Sequence, residues 1–216
     1  MTVKKCFFVH VPKTAGICFK INLQKFYEES RSLHVYLSEH LDEKNIDDYD
    51  LVTGHIQPLK NDLSNNRLLV TWLRDPVDRL VSLYFYQNHY DASNSDSDKQ
   101  CDSTVDISKF YDDIERYAFN KENRDVIYKD YFYYLDIDNF DFIGVYEDFH
   151  NDQNRFFQKF FGQSMDFQFL TNTNTMIDKS RSNNYDIDSN LRKRIEQCNP
   201  RDMDLYHRVL DLKNKS

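Results

Sequence analysis

The sequence has few glycines and cysteines and no long apolar run. Four glycines among 216 residues leave no room for a glycine-rich linker or a collagen-like repeat. The four cysteines, at positions 6, 18, 101 and 198, form no C-x-x-C pair. We therefore expect unpaired thiols and neither a disulfide framework nor a zinc ribbon. Because no apolar run approaches the length of a membrane span, we also expect no transmembrane helix.

Positive charge is also in short supply. The 28 Lys and Arg residues are outnumbered by 36 Asp and Glu residues, which gives a net charge of −8. A chain of that sign does not look like a nucleic-acid binder and would repel a long polyanion. Its length and its 40% hydrophobic content suit one folded domain over 1–216. The first predicted strand begins almost at Met1, so we expect no signal peptide and a cytoplasmic location.

The first informative motif is HVPKTAG at His10–Gly16. A buried β-strand is predicted over Cys6–Val11, because the residues are apolar, β-branched or aromatic, and it ends at Pro12, which cannot continue a central ladder. From Ile17 onward apolar residues recur with the spacing of an amphipathic helix. The segment between is therefore a tight strand-to-helix turn, whose N–H groups and helix dipole favour an anion.

Three residues of this turn fit a phosphate group. Gly16 allows a phosphate to approach the backbone, Lys13 supplies a mobile positive charge, and Thr14 offers a hydroxyl. The full GxxxxGK[ST] loop is absent, which weakens an interpretation as a kinase or GTPase.

The second motif is RDPVDRLVSLY at Arg74–Tyr84. It follows a predicted buried strand, and Asp75 and Pro76 are typical of the N-cap and first position of a helix. Arg74 therefore ends a strand beside a helix start, and Ser82 lies two turns into that helix, away from its apolar stripe. Arginine suits phosphate because its planar fork donates two parallel hydrogen bonds. Each motif alone is compatible with an ordinary strand-to-helix connection, but the pair predicts two phosphate sites on one ligand.

Together the two motifs resemble sulfotransferases that use 3′-phosphoadenosine 5′-phosphosulfate (PAPS), especially carbohydrate sulfotransferases of the heparan sulfate 2-O type. The resemblance implies that Lys13, Thr14, Ala15 and Gly16 hold the 5′-phosphosulfate and that Arg74 and Ser82 hold the 3′-phosphate. The segment FDFIGVYEDF at Phe140–Phe149 resembles a later strand and helix start of that family.

Two further regions are interpreted through this resemblance. The family continues PKTAG with Thr-Ser, whereas this chain has Ile17 and Cys18, so two hydroxyl donors at the 5′ group are replaced and backbone N–H groups remain. An Asn-rich stretch, Asn172–Asn184, falls where the family closes a loop over the nucleotide, and it carries Lys179 and Arg181 as further donor-site residues. We predict surface or lid loops over 91–104 and 171–187.

Transfer to a hydroxyl also requires a base, and His55 is the best candidate. A short strand is predicted to end at Gly54-His55, and sites of α/β proteins collect at the carboxyl ends of strands. The family's carbohydrate branch also uses a His in such a context. His10, which is predicted to lie in the strand itself, is the competing base, and a structural His55 is the simpler alternative. No histidine has metal-ligand spacing, so no metal is expected.

These observations predict an α/β three-layer, P-loop-like fold with a mainly parallel sheet flanked by helices. The predicted function is a PAPS-dependent sulfotransferase acting on a hydroxyl, with a weakly charged carbohydrate as the expected acceptor. Lys13 is expected to stabilise charge on the leaving phosphate. Two alternatives stay open: a non-catalytic adenine-nucleotide-binding relative and a P-loop-like kinase.

Overall fold

A computed structural model describes residues 4–28, 31–35, 46–56, 67–87, 111–163 and 187–215. Five strands form one sheet: β1 (Cys6–Val9), β2 (Ser32–Val35), β3 (Leu51–Gly54), β4 (Leu68–Leu73) and β5 (Phe142–Val145). Their order is β2-β3-β1-β4-β5, and all four pairings are parallel. The predicted α/β fold with a parallel central sheet is confirmed.

The strand order places a topological switch at β1. The chain adds β2 and β3 on one side of β1 and then β4 and β5 on the other. Connections after β1 and β4 therefore diverge at the carboxyl edge of the sheet, which opens the crevice where ligands of doubly wound sheets bind. Both sequence motifs follow strands that border this crevice.

Six α-helices accompany the sheet in the described residues. They are α1 (Gly16–Leu23), α2 (Pro76–Phe85), α3 (Tyr111–Phe119), α4 (Phe149–Phe161), α5 (Ser189–Cys198) and α6 (Pro200–Lys215). None of these described helices combines the length and apolar composition needed to cross a lipid bilayer.

Alternation along β1 divides the core between the two faces of the sheet. Phe8 points to the face covered by α1 and α4, where it packs with Phe19 and Phe156. Phe7 and Val9 point to the opposite face, which is covered by Leu205 and its neighbours from α6. The sheet is thus the middle of three layers. A third apolar cluster joins α2, α3 and α5.

The elements around the second motif follow the sequence prediction closely. Strand β4 is followed by Asp75, whose carboxylate accepts a hydrogen bond from the Asp78 N–H at 2.9 Å, and Pro76 opens α2. Gly162 ends α4 in the left-handed conformation at φ 66°, as a C-cap glycine should.

The chain between α3 and β5 contains a π-helix. It spans Tyr128–Phe132, and Asp125, a few residues before it, adopts a left-handed conformation with φ 50°. The Asp125 carboxylate accepts hydrogen bonds from the N–H groups of Arg201 and Asp202, at 2.9 and 3.2 Å. Asp125 thus caps the start of α6.

The run of basic residues in α5 is largely exposed, and its two arginines also form ion pairs. Arg192 forms ion pairs with Asp75, at 3.1 Å, and with Asp78. Arg194 pairs with Glu115 of α3. These contacts attach α5 to the start of α2 and to α3. Most of both predicted loops lies outside the described residues, but Ile187 is buried in the cluster of α2, α3 and α5.

Candidate functional site

The turn between β1 and α1 holds two non-glycine residues in the left-handed region. Lys13 has φ 69° and Ala15 has φ 63°. Each such residue costs on the order of 1–3 kcal/mol, and this strain concentrates at ligand-binding turns. Ala15 is the N-cap of α1, and no side chain caps the helix start among the described residues. The first N–H groups of α1 are therefore left for an anion.

Two residues of the turn have roles in its own structure. Thr14 is fully buried, and its Oγ1 donates a hydrogen bond to the Val11 carbonyl at 2.8 Å. The predicted hydroxyl contact to phosphate is therefore corrected, and the N–H is what Thr14 can offer. At Gly16, a Cβ would lie 2.0 Å from His10 Cδ2. Glycine is required there because the His10 ring, not only a phosphate, comes close to the backbone.

The two residues that replace Thr-Ser occupy different environments. Ile17 is 60% exposed, whereas Cys18 is buried in the apolar cluster of Phe8 and Phe19. Burial also raises the pKa of the Cys18 thiol. Ile17 therefore places an apolar side chain at the surface beside the turn between β1 and α1, and Cys18 belongs to the core.

Arg74 follows β4 and reaches the turn between β1 and α1. Its Nη1 lies 3.5 Å from the Lys13 carbonyl oxygen, at the outer limit of a hydrogen bond. Its Nε is buried and has no hydrogen-bond partner among the described residues. Ser82 lies two turns into α2 and is half-buried. The structure thus brings Arg74 next to the turn, with donor capacity available for a ligand.

Each of the two cations faces a tyrosine ring that sequence reasoning missed. Lys13 Nζ lies 4.2 Å from the centroid of Tyr86, and Arg74 Cζ lies 4.3 Å from the centroid of Tyr146. Tyr86 directly follows α2 as its C-cap and is four residues after Ser82, a spacing that places both on one helix face. Tyr146 directly follows β5, the strand next to β4. The positions of the two tyrosines could have indicated these contacts. No sequence pattern, however, links Lys13 to Tyr86 or Arg74 to Tyr146.

His55 follows β3 and contacts the end of β1. Its Nδ1 lies 2.7 Å from the His10 carbonyl oxygen. A carbonyl can only accept, so Nδ1 carries the proton and Nε2 of the neutral ring carries the lone pair. Burial is the main influence on the pKa of His55 and lowers it below 6.5, although the bond to His10 opposes the shift. His55 is therefore neutral and basic at Nε2 near neutral pH.

His10 lies just beyond β1 and not within it as predicted. Its ring is 6% exposed, stacks on Phe8 with centroids 5.4 Å apart, and lies 4.3 Å from the His55 ring. Burial and the nearby His55 lower its pKa to about 3. These contacts make His10 a packed support for the turn and for His55.

The remaining predicted site residues are not tested by this geometry. Lys179 and Arg181 lie outside the described residues. Within the ranges that the structure describes, no three His, Cys, Asp or Glu side chains group as metal ligands. Glu147 accepts a hydrogen bond from the Asp75 N–H at 2.9 Å.

Comparison with known proteins assigns the class. The model of the sulfotransferase family matches residues 2–207. The chain therefore belongs to the sulfotransferase family, and the sulfotransferase class predicted from the two motifs is confirmed.

The chain is similar to the crystal structure of mouse sulfotransferase SULT7A1 complexed with PAP, at 12% identity and a TM-score of 0.39 over 88% of this chain and 74% of that one. No curated protein matches the sequence significantly. The assignment rests on the family match.

Proposed function

We propose that the protein transfers a sulfuryl group from PAPS to a hydroxyl of a carbohydrate acceptor. The observation that carries this proposal is one cluster at the carboxyl edge of the sheet. There the uncapped turn after β1 meets Arg74 after β4, while His55, after β3, contacts the residue that precedes the turn. In a member of the sulfotransferase family, this cluster combines an anion site with a base.

The donor half comprises the turn and Arg74. PAPS would supply the sulfuryl group and leave as 3′,5′-bisphosphoadenosine. The N–H groups at the start of α1 and the Lys13 ammonium suit the 5′ group, where negative charge grows during transfer. Arg74 suits the 3′-phosphate, because its buried Nε has no hydrogen-bond partner in the described part of the chain. Ser82, Lys179 and Arg181 are proposed to complete the donor site.

The acceptor half is proposed to centre on His55. An acceptor hydroxyl that donates to Nε2 would lose its proton to the ring as its oxygen bonds to sulfur. The bond from Nδ1 to the His10 carbonyl holds the ring in the required tautomer and stabilises the imidazolium that forms. Catalysis of this kind depends on positioning and charge, and we propose that it uses no metal.

We propose a weakly charged glycan as the acceptor. The net charge of −8 disfavours a densely anionic polymer at the protein surface. The exposed Ile17 supports an acceptor with apolar ring faces, because it presents an uncharged surface beside the donor turn.

One competing function is a relative that binds the nucleotide without turnover. The replacement of two hydroxyl residues by Ile17 and Cys18 favours it. A kinase is less well supported, since the described residues contain no cluster of metal ligands.

A crystal soaked with 3′,5′-bisphosphoadenosine tests the donor assignment. We expect the 5′-phosphate on the turn 13–16, the 3′-phosphate on Arg74, and His55 Nε2 facing the open side of the 5′-phosphate. A nucleotide bound elsewhere, or one with its 3′-phosphate in solvent, would overturn the assignment.

A further inference from the structure

We propose that Tyr146 is a positioning residue that holds the Arg74 guanidinium ready for the 3′-phosphate of the donor. This inference rests on the proposed function, because it concerns the same donor site. Its main observation is that the Arg74 guanidinium carbon Cζ lies over the ring of Tyr146, 4.3 Å from the ring centroid.

The pair follows directly from the sheet. Leu73 of β4 is in register with Val145 of β5, so Arg74 and Tyr146 are the next residues along two parallel, hydrogen-bonded strands. Neighbouring strands lie roughly 4.8 Å apart. Side chains at corresponding positions just past their ends are therefore brought together before any ligand binds.

A second contact fixes the same two chain segments. The carboxylate of Glu147 accepts a hydrogen bond from the Asp75 N–H at 2.9 Å. Burial, together with the charge of the nearby Glu147 carboxylate, raises the pKa of Tyr206 of α6. The two chain segments are thus joined just before Arg74 and Tyr146, by the pairing of Leu73 with Val145, and just after them, by the bond between Asp75 and Glu147.

The acidic residue nearest in sequence does not neutralise Arg74. The Asp75 carboxylate caps α2 through the Asp78 N–H and pairs with Arg192 at 3.1 Å. Among the described residues, no ion pair includes Arg74, and its Nε has no hydrogen-bond partner. Arg192 therefore occupies the carboxylate that would otherwise compete with a phosphate for Arg74.

A tyrosine ring is well suited to hold an arginine that must bind phosphate. Stacking uses the face of the guanidinium and leaves its N–H groups, which lie in the guanidinium plane, available for two parallel hydrogen bonds. A carboxylate partner would occupy those same N–H groups. Tyr146 thus restricts the rotamers of Arg74 without consuming its donors.

The test is the affinity ratio between 3′,5′-bisphosphoadenosine and AMP, measured by calorimetry on the full chain. The two ligands differ in the 3′-phosphate, so the ratio isolates the contribution of the site that binds this phosphate. We expect Tyr146→Leu to lower the ratio by about tenfold, the range of a desolvated cation–π contact, with AMP affinity nearly unchanged. Tyr146→Phe should retain the ratio, because the ring face is kept.

Two comparisons make the result specific. Tyr134→Leu, at a tyrosine that is 63% exposed, should leave both affinities unchanged. Tyr86→Leu, beside Lys13, should change both ligands alike, because both carry a 5′-phosphate. An unchanged ratio in Tyr146→Leu, or an equal loss for both ligands, would overturn the positioning role. A wild-type protein that binds both ligands equally would overturn the 3′-phosphate site itself, a result distinguishable from failure of Tyr146 alone.

Discussion

His55 Nδ1 donates a hydrogen bond of 2.7 Å to the main-chain carbonyl of His10. The contact joins the end of β3 to the residue that follows β1, and it leaves Nε2 as the basic nitrogen of His55. The proposed base is therefore held by the backbone beside the turn between β1 and α1, where its orientation does not depend on another side chain.

Replacing His55 tests its role as base. We expect His55→Ala to lower turnover by about 10²–10⁴-fold while the affinity for 3′,5′-bisphosphoadenosine stays nearly unchanged. The wild-type rate should fall as pH drops through the pKa of His55, with a midpoint below 6.5 because burial lowers that pKa. This acidic limb should be absent from the residual rate of the variant. Full activity in His55→Ala would show that His55 is not the base.

Arg74 should account for the preference between nucleotides. We expect Arg74→Ala to bring the affinity for 3′,5′-bisphosphoadenosine close to that for AMP, with a loss of about 1.5–3 kcal/mol from a hydrogen bond to a charged group. Ser82→Ala should have a smaller effect, since a hydroxyl carries no charge. Calorimetry without added metal measures both. A preference that survives in Arg74→Ala would place the 3′-phosphate elsewhere.

Substitutions at Ile17 and Cys18 should have different effects, the first on donor affinity and the second on the free energy of unfolding. Ile17→Thr should change the free energy of unfolding by less than about 0.5 kcal/mol, because the side chain is exposed, and it should tighten donor binding. Cys18→Ser should cost about 1–3 kcal/mol, because a buried hydroxyl needs a partner in an apolar cluster. Chemical denaturation and calorimetry check both. If Ile17→Thr leaves the affinity unchanged, backbone N–H groups alone hold the 5′ group.

The buried His10 should make stability depend on pH. Its pKa is about 3 in the folded protein and about 6.5 when solvated, so between these values the unfolded chain binds the extra proton. Stability should therefore decrease as pH falls from 6.5 towards 3. His10→Phe, which keeps a ring against Phe8, should show a shallower decrease in denaturant titrations. An identical slope in both proteins would show that His10 is not buried as a neutral ring.

Local patterns predicted the elements better than the contacts between them. Strand β4 and the start of α2 were predictable because a buried run, an N-cap aspartate and a proline stand in order along the chain. Two contacts were not predictable in this way: the Thr14 hydroxyl bonds to a carbonyl of its own turn, and Gly16 is required by the ring of His10.

The partners of the charged residues also could not be predicted from the sequence. Arg192 pairs with Asp75 across 117 positions, and Tyr146 meets Arg74 only because β5 lies beside β4. Such pairs depend on strand order and helix docking, which no local spacing encodes. The residue types that form the donor site were visible in the sequence, whereas the groups that orient them were not.

Transfer of radioactive sulfur from labelled PAPS is the most direct test of the central claim. Purified protein would be incubated with labelled PAPS and a panel of neutral and singly carboxylated oligosaccharides, with His55→Ala as the matched control. We predict labelled oligosaccharide with the wild-type protein and at least a hundredfold less with His55→Ala at equal donor occupancy. Tight binding of 3′,5′-bisphosphoadenosine without labelled product from any acceptor would contradict the claim and identify a nucleotide-binding protein without sulfotransferase activity.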